Sequence, residues 1–145
     1  MAKELFTEDK RKEIQKAIAE AEKNTSGEIR LYVENNCKGD VLDRAAFIFG
    51  ELEMHKTKER NGVLFYLATE SKKFAVIGDA GIHAKVPVDF WNHIKEEMKK
   101  HFTTGDFVSG LSKGIRMSGK ALQQHFPFKT GDTNELSNEI VFGKD

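Results

Sequence analysis

Residues 60–82 read RNGVLFYLATESKKFAVIGDAGI, and the rest of the chain is arranged to cover them. Val63 to Ala68 is an unbroken apolar run, the pattern of a strand buried on both faces. Thr69 to Lys73 is a polar break, and Phe74 to Ile77 is a second apolar run. Two strands joined by so short a turn pair antiparallel. Gly78-Asp79-Ala80-Gly81 then closes the hairpin with a flexible turn carrying one acid, followed by a brief irregular piece.

Upstream, Glu28 to Glu34 alternates, with Ile29, Leu31 and Val33 on one face and Arg30 and Tyr32 on the other. That period of two marks a half-exposed strand at or near a sheet edge. Between it and Val63 lies a helical pattern over Val41 to Lys56, capped by Asp40, with Leu42, Ala45, Ala46, Phe49 and Leu52 as its apolar stripe. Strand, helix, strand predicts a parallel crossover, so the sheet is mixed. Thr7 caps a first helix to about Asn24, with Ile14, Ala17, Ile18 and Ala21 facing inward and its Lys, Glu and Gln positions facing solvent. Pro87 opens a helix over about 88–102, and Asp106 or Thr104 caps another reaching about His125. Gly110 and Gly114 share one face of that last helix and permit close approach to the sheet or a neighbouring helix.

The expected fold class is therefore α/β: a three-layer α/β/α sandwich around a mixed sheet of three to four strands, a parallel pair plus a hairpin. One domain spans residues 1–127. Residues 128–145 form a polar tail in which Glu139 to Phe142 either adds an edge strand or stays disordered.

Charge narrows the function classes. Lys+Arg and Asp+Glu each number 23, so the net charge is zero, without the basic excess of a nucleic-acid binder. Lys95, Lys99 and Lys100 are interrupted by Glu96 and Glu97, the pattern of a solvated helix face. Cys37 is the one cysteine, which excludes an intrachain disulfide and reads as a bystander thiol. The opening MAKELFTEDK has no apolar segment of a signal peptide. No run approaches the roughly 18 apolar residues of a membrane span. The reading is a cytoplasmic monomer, with a protein partner left open.

Catalytic signatures are sparse. The chain has no GxGxxG at a strand–helix junction, no GxxxxGK[ST], no GxSxG and no HExxH. Its five histidines include no i, i+4 pair. Two acids beside glycines carry the remaining interest. Asp79 is either a turn former bonding its own backbone or a ligand on an adaptable oxygen-rich loop of the kind calcium takes. Asp106 is either a helix N-cap or a second such ligand.

Read in order, Thr25-Ser26-Gly27-Glu28-Ile29, Arg60-Asn61-Gly62-Val63-Leu64, Gly78-Asp79-Ala80-Gly81-Ile82 and Gly105-Asp106-Phe107 with Gly110-Leu111 and Gly114-Ile115 resemble the TPM domain family, from about Phe6 to Phe126. The resemblance implies an α/β/α sandwich and a shallow acidic site on the loops following the strands, associated with divalent cations, calcium in particular. An acid phosphatase activity is described for plant relatives. The resemblance carries the acidic-site role onto Asp79 and Asp106, and Asn61, Glu28 and Asp40 join them as oxygen donors at strand ends. Magnesium and manganese are the alternative cations. Unlike the common bacterial pattern, this sequence shows no signal peptide or membrane anchor. Two functions follow: a calcium-binding interaction module, or a metal-assisted phosphomonoesterase in which Arg60, with Lys85 behind it, holds the phosphate.

Overall fold

The computed structural model describes residues 2–128 and 139–143; residues 129–138 of the polar tail lie outside them. Among the described residues, four strands form one sheet in the order β3-β2-β1-β4, with β1 at Glu28–Glu34, β2 at Gly62–Ala68, β3 at Lys73–Gly78 and β4 at Val141–Phe142. β1 runs parallel to β2 and to β4, while β2 and β3 form the antiparallel hairpin. The helices are α1 (Ala2–Leu5), α2 (Glu8–Glu22), α3 (Val41–Glu51), α4 (Ala80–His83), α5 (Phe90–Phe102) and α6 (Phe107–His125).

Every residue of β2 is buried, as its unbroken apolar run requires of a central strand. α2, α5 and α6 cover one face of the sheet, packing on Ile29, Leu31, Val33, Val63, Phe65 and Leu67. α3 covers the other, over Leu64, Tyr66, Ala68 and Ala75. The result is an α/β/α sandwich. A polar clamp ties α3 down: Arg44 donates from Nε and Nη2 to Glu34 at 2.9 and 2.8 Å, and Tyr66 donates its hydroxyl to the same carboxylate.

β1 lies near the sheet edge as expected, with the tail strand β4 pairing outside it through Tyr32↔Val141 and Val33↔Phe142. Other expectations shift. The expected helix over 41–56 divides: α3 ends at Glu51, Glu53 turns left-handed (φ 57°), and a 3-10 turn follows over Met54–Lys56. That break drives Met54 fully into the core. On α3 the buried positions are Ala45 and Ile48, whereas Leu42 and Ala46 are exposed. The turn expected over Gly78–Gly81 instead leads into a short helix, α4, with Asp79 as its N-cap, and the irregular piece expected after it runs over residues 84–89.

The glycines of α6 act as the spacing suggested. A Cβ at Gly110 would stand 2.4 Å from the Phe102 ring and one at Gly114 2.6 Å from the Met98 sulfur, both on α5. Gly119 gives the same clearance to α2, 2.6 Å from the Cβ of Ala21. Side chains at these places would push the helices apart.

Candidate functional site

Parallel pairing places the starts of β1 and β2 at one end of the sheet, and antiparallel β3 finishes there. Glu28, Asn61, Arg60 and Asp79 therefore gather at this end. Glu28 pairs with Gly62, and the Asp79 N–H donates to the Gly62 carbonyl at 2.9 Å. The two acids flank a glycine, about 10 Å apart at Cα by two strand spacings. Met54 fills the space over that glycine: a Cβ there would meet its carbonyl oxygen at 3.3 Å and its Cε at 3.5 Å. Glu28 and Asp79 are neighbours without meeting.

Asp79 is 7% exposed. Arg60 grips it with a fork, Nε to Oδ2 at 2.6 Å and Nη2 to Oδ1 at 2.8 Å, and the Ala80 N–H donates to Oδ1 at 2.8 Å. Burial alone would raise this carboxyl, but the Arg60 fork and the Ala80 N–H outweigh it and hold the group below its ordinary value. The local chain is shaped for the contact. Arg60 itself sits at φ 53°, and its carbonyl accepts the Gly81 N–H at 2.8 Å. Gly81 is required there because a Cβ would lie 2.1 Å from the Glu59 carbonyl oxygen.

On the other side of Gly62, Glu28 has a carboxyl partner that the sequence reading missed. Glu22, in the last turn of α2, hydrogen-bonds to Glu28, and its Oε2 accepts the Ile29 N–H at 2.7 Å. The Ile29 N–H points to the edge of β1 below the short β4, so Glu22 satisfies a strand N–H that has no strand partner among the described residues. Burial pushes the Glu22 carboxyl up to about 8, the charge and hydrogen bond of Glu28 add to the rise, and the Ile29 N–H and Arg30 oppose it. That value favours the neutral Glu22 carboxyl at pH 7. The signal was available in the spacing: Glu22 lies four residues after Ile18, on the buried stripe rather than the solvent side.

Asn61 is 1% exposed. Its Nδ2 donates to Ser26 Oγ at 3.1 Å, and Ser26 in turn donates to Glu59 Oε2 at 2.8 Å. Its Oδ1 is buried without a hydrogen-bond partner among the described residues.

Of the remaining candidates, Asp40 and Asp106 lie elsewhere. Asp40 follows β1 at the opposite end of the sheet and caps α3, accepting from Leu42 N–H at 2.8 Å and Asp43 N–H at 3.1 Å. Asp106 caps α6 by accepting from Ser109 N–H at 3.1 Å. It adjoins Gly105 and Phe107, which line a cleft with Thr69 at that same far end. Lys85 is exposed, just beyond α4. The structure thus unites Asp79, Arg60, Asn61 and Glu28, adds Glu22, and leaves Asp40 and Asp106 about 20 Å away, the length of a seven-residue strand. Among the described residues no group of three or more His, Cys, Asp or Glu side chains stands ready to hold a metal ion. Nor is any described helix long and apolar enough to cross a membrane.

The family model of the TPM domain matches residues 2–121. The structure is similar to the NMR structure of the BA42 protein from the psychrophilic bacterium Bizionia argentinensis, at 45% identity, TM-score 0.88 and 95% coverage of each chain. Two further likenesses show the fold alone. One is the N-terminal domain of a P. gingivalis protein, at 16% identity and TM-score 0.68, covering 86% of this chain and 83% of that one. The other is the N-terminal domain of the cg2496 protein from Corynebacterium glutamicum, at 11% identity and TM-score 0.65, covering 90% of this chain and 80% of that one. No curated protein matches the sequence.

Proposed function

The chain belongs to the TPM domain family, and from that premise we propose that it is a divalent-cation binding module, with calcium as the cation and the Glu22–Glu28 pair as its anchor. One observation carries this reading: Glu22 and Glu28 lie side by side at the start of β1, where burial first and the Glu28 charge second raise the Glu22 carboxyl to about 8. A divalent cation would neutralise the pair of carboxylates that this setting disfavours. The donors fit in kind, being hard oxygens: Asn61 sits just before β2, its carbonyl accepting the Glu28 N–H at 3.4 Å, and its Oδ1 has no hydrogen-bond partner among the described residues. They do not by themselves reach the six to eight oxygens that calcium takes, so backbone carbonyls and water would complete the shell. Asp79 would join only by exchanging Arg60, whose side chain is 52% exposed and can swing away. Once occupied, this end of the sheet would serve as the fixed docking face of an interaction module.

The phosphomonoesterase reading has weaker support, because Arg60, its phosphate holder, spends both arms of its fork on Asp79. A calorimetric calcium titration at pH 7, run in two buffers of different ionisation enthalpy, tests the proposal. It predicts release of about one proton per bound cation. Heats that do not depend on the buffer would overturn it. Magnesium and manganese, run alongside, rank the cations.

A further inference from the structure

At the far end of the sheet, the end of β2, the β2–β3 turn and the α5–α6 corner enclose a cleft of about 470 Å³. This falls within the roughly 300–1,000 Å³ of small-molecule sites. Three phenyl rings wall it: Phe74 meets Phe102 edge to face at 4.8 Å between centroids, and Phe102 meets Phe107 at 5.6 Å. Lys72 and Lys99 line it as well, and both are exposed. No Asp or Glu is among its described lining residues; Glu96 lines the neighbouring groove instead. Thr69, also in the lining, is 7% exposed, and its hydroxyl has no hydrogen-bond partner among the described residues. Turning that hydroxyl toward a ligand would break no existing bond.

We propose that this cleft binds small aromatic carboxylates, the ring against Phe74, Phe102 and Phe107 and the charge between Lys72 and Lys99. An apolar chamber with cations and no anions in its lining selects an anion with an aromatic body. The charge is single rather than double. The N-terminus of α6, which would otherwise favour a phosphate, is already closed by the Asp106 carboxylate on the Ser109 N–H. The cleft lies the length of the sheet away from Glu28 and Asp79, so the assignment stands apart from the cation proposal.

Amide-detected NMR titration with 2-naphthoate tests it, with 2-naphthamide and 2-naphthyl phosphate as comparison probes. Saturable shifts are expected in residues 69–74 and 102–107, with naphthamide binding about tenfold more weakly. Lys99→Gln, an exposed change whose fold the same spectrum checks, should weaken naphthoate about fivefold and leave naphthamide unchanged. The proposal is overturned by any of three results: no saturable shift in the cleft up to about 5 mM naphthoate, equal binding of naphthamide, or tighter binding of the phosphate.

Discussion

Arg60 and Asp79 meet fork to fork, Nε on Oδ2 at 2.6 Å and Nη2 on Oδ1 at 2.8 Å, while the same carboxylate caps α4. One acid thus joins the entry of β2, the exit of β3 and the first turn of α4. Because Asp79 is buried and Arg60 is half-exposed, the two partners are unequal. Removing the arginine strands a buried charge, whereas removing the acid frees a guanidinium that water can take.

Arg60→Ala is therefore expected to destabilise the fold, by less than the loss of a partner from a fully buried pair because Arg60 is half-exposed. The double variant Arg60→Ala with Asp79→Ala should cost less than the sum of the two single changes. Urea unfolding of the four proteins measures the coupling. Strict additivity would show that the fork does not hold this corner.

Acid should remove the Asp79 contribution. A carboxyl held below its ordinary value stabilises the fold above its unfolded pKa, and loses that contribution as pH falls through the folded one. The stability gap between the wild-type chain and Asp79→Asn is thus expected to close below about pH 3.8. Thermal melts between pH 2 and 6 follow it. A gap unchanged at low pH would contradict the assignment.

Glu22 behaves in the opposite sense. Its folded value is raised from 4.5 to about 8, so between those pH values the native chain holds a proton that the unfolded chain has lost. Stability then falls as pH rises through this window. Glu22→Gln keeps an oxygen for the Ile29 N–H and removes the proton, so it should match the wild type near pH 4 and exceed it by about 1–2 kcal/mol at pH 8. A parallel pH dependence in the two proteins would show that Glu22 does not hold that proton.

Two glycines should respond oppositely to alanine. A Cβ at Gly81 would press on the backbone oxygen of Glu59 at 2.1 Å, so Gly81→Ala is expected to cost more than about 2 kcal/mol. Gly50, near the end of α3, has nothing within 4 Å of such a Cβ. Gly50→Ala should gain about 0.5–1 kcal/mol from helix propensity alone. Midpoints of thermal unfolding separate the two.

The sandwich was legible because the apolar runs of residues 63–68 and 74–77 have no other home than a buried hairpin. The alternation of residues 28–34 fixed which side chains of β1 face α2. Asp40 and Asp106 were readable as caps from their places before helical patterns, and the structure shows both in that role. Three features were not legible. The break at Glu53 depends on Met54 finding room over Gly62, a contact between elements rather than a local preference. The short α4 exists because Gly81 lets the chain close on Arg60, which no four-residue propensity signals. Glu22 was assigned to solvent on residue type although its spacing after Ile18 placed it inward. Position within the helical period outweighs side-chain polarity when the neighbouring strand edge offers an N–H to satisfy.

The most direct test of the cation account is an amide-detected calcium titration of the metal-free, isotope-labelled protein at pH 7, with Glu28→Gln beside it. The account predicts saturable shifts at Glu22, Glu28, Ile29 and Asn61, strongly weakened in the variant, with the far-end amides of Asp40 and Asp106 unmoved. Silence at those four residues up to about 10 mM calcium, or equal shifts in the variant, would contradict it.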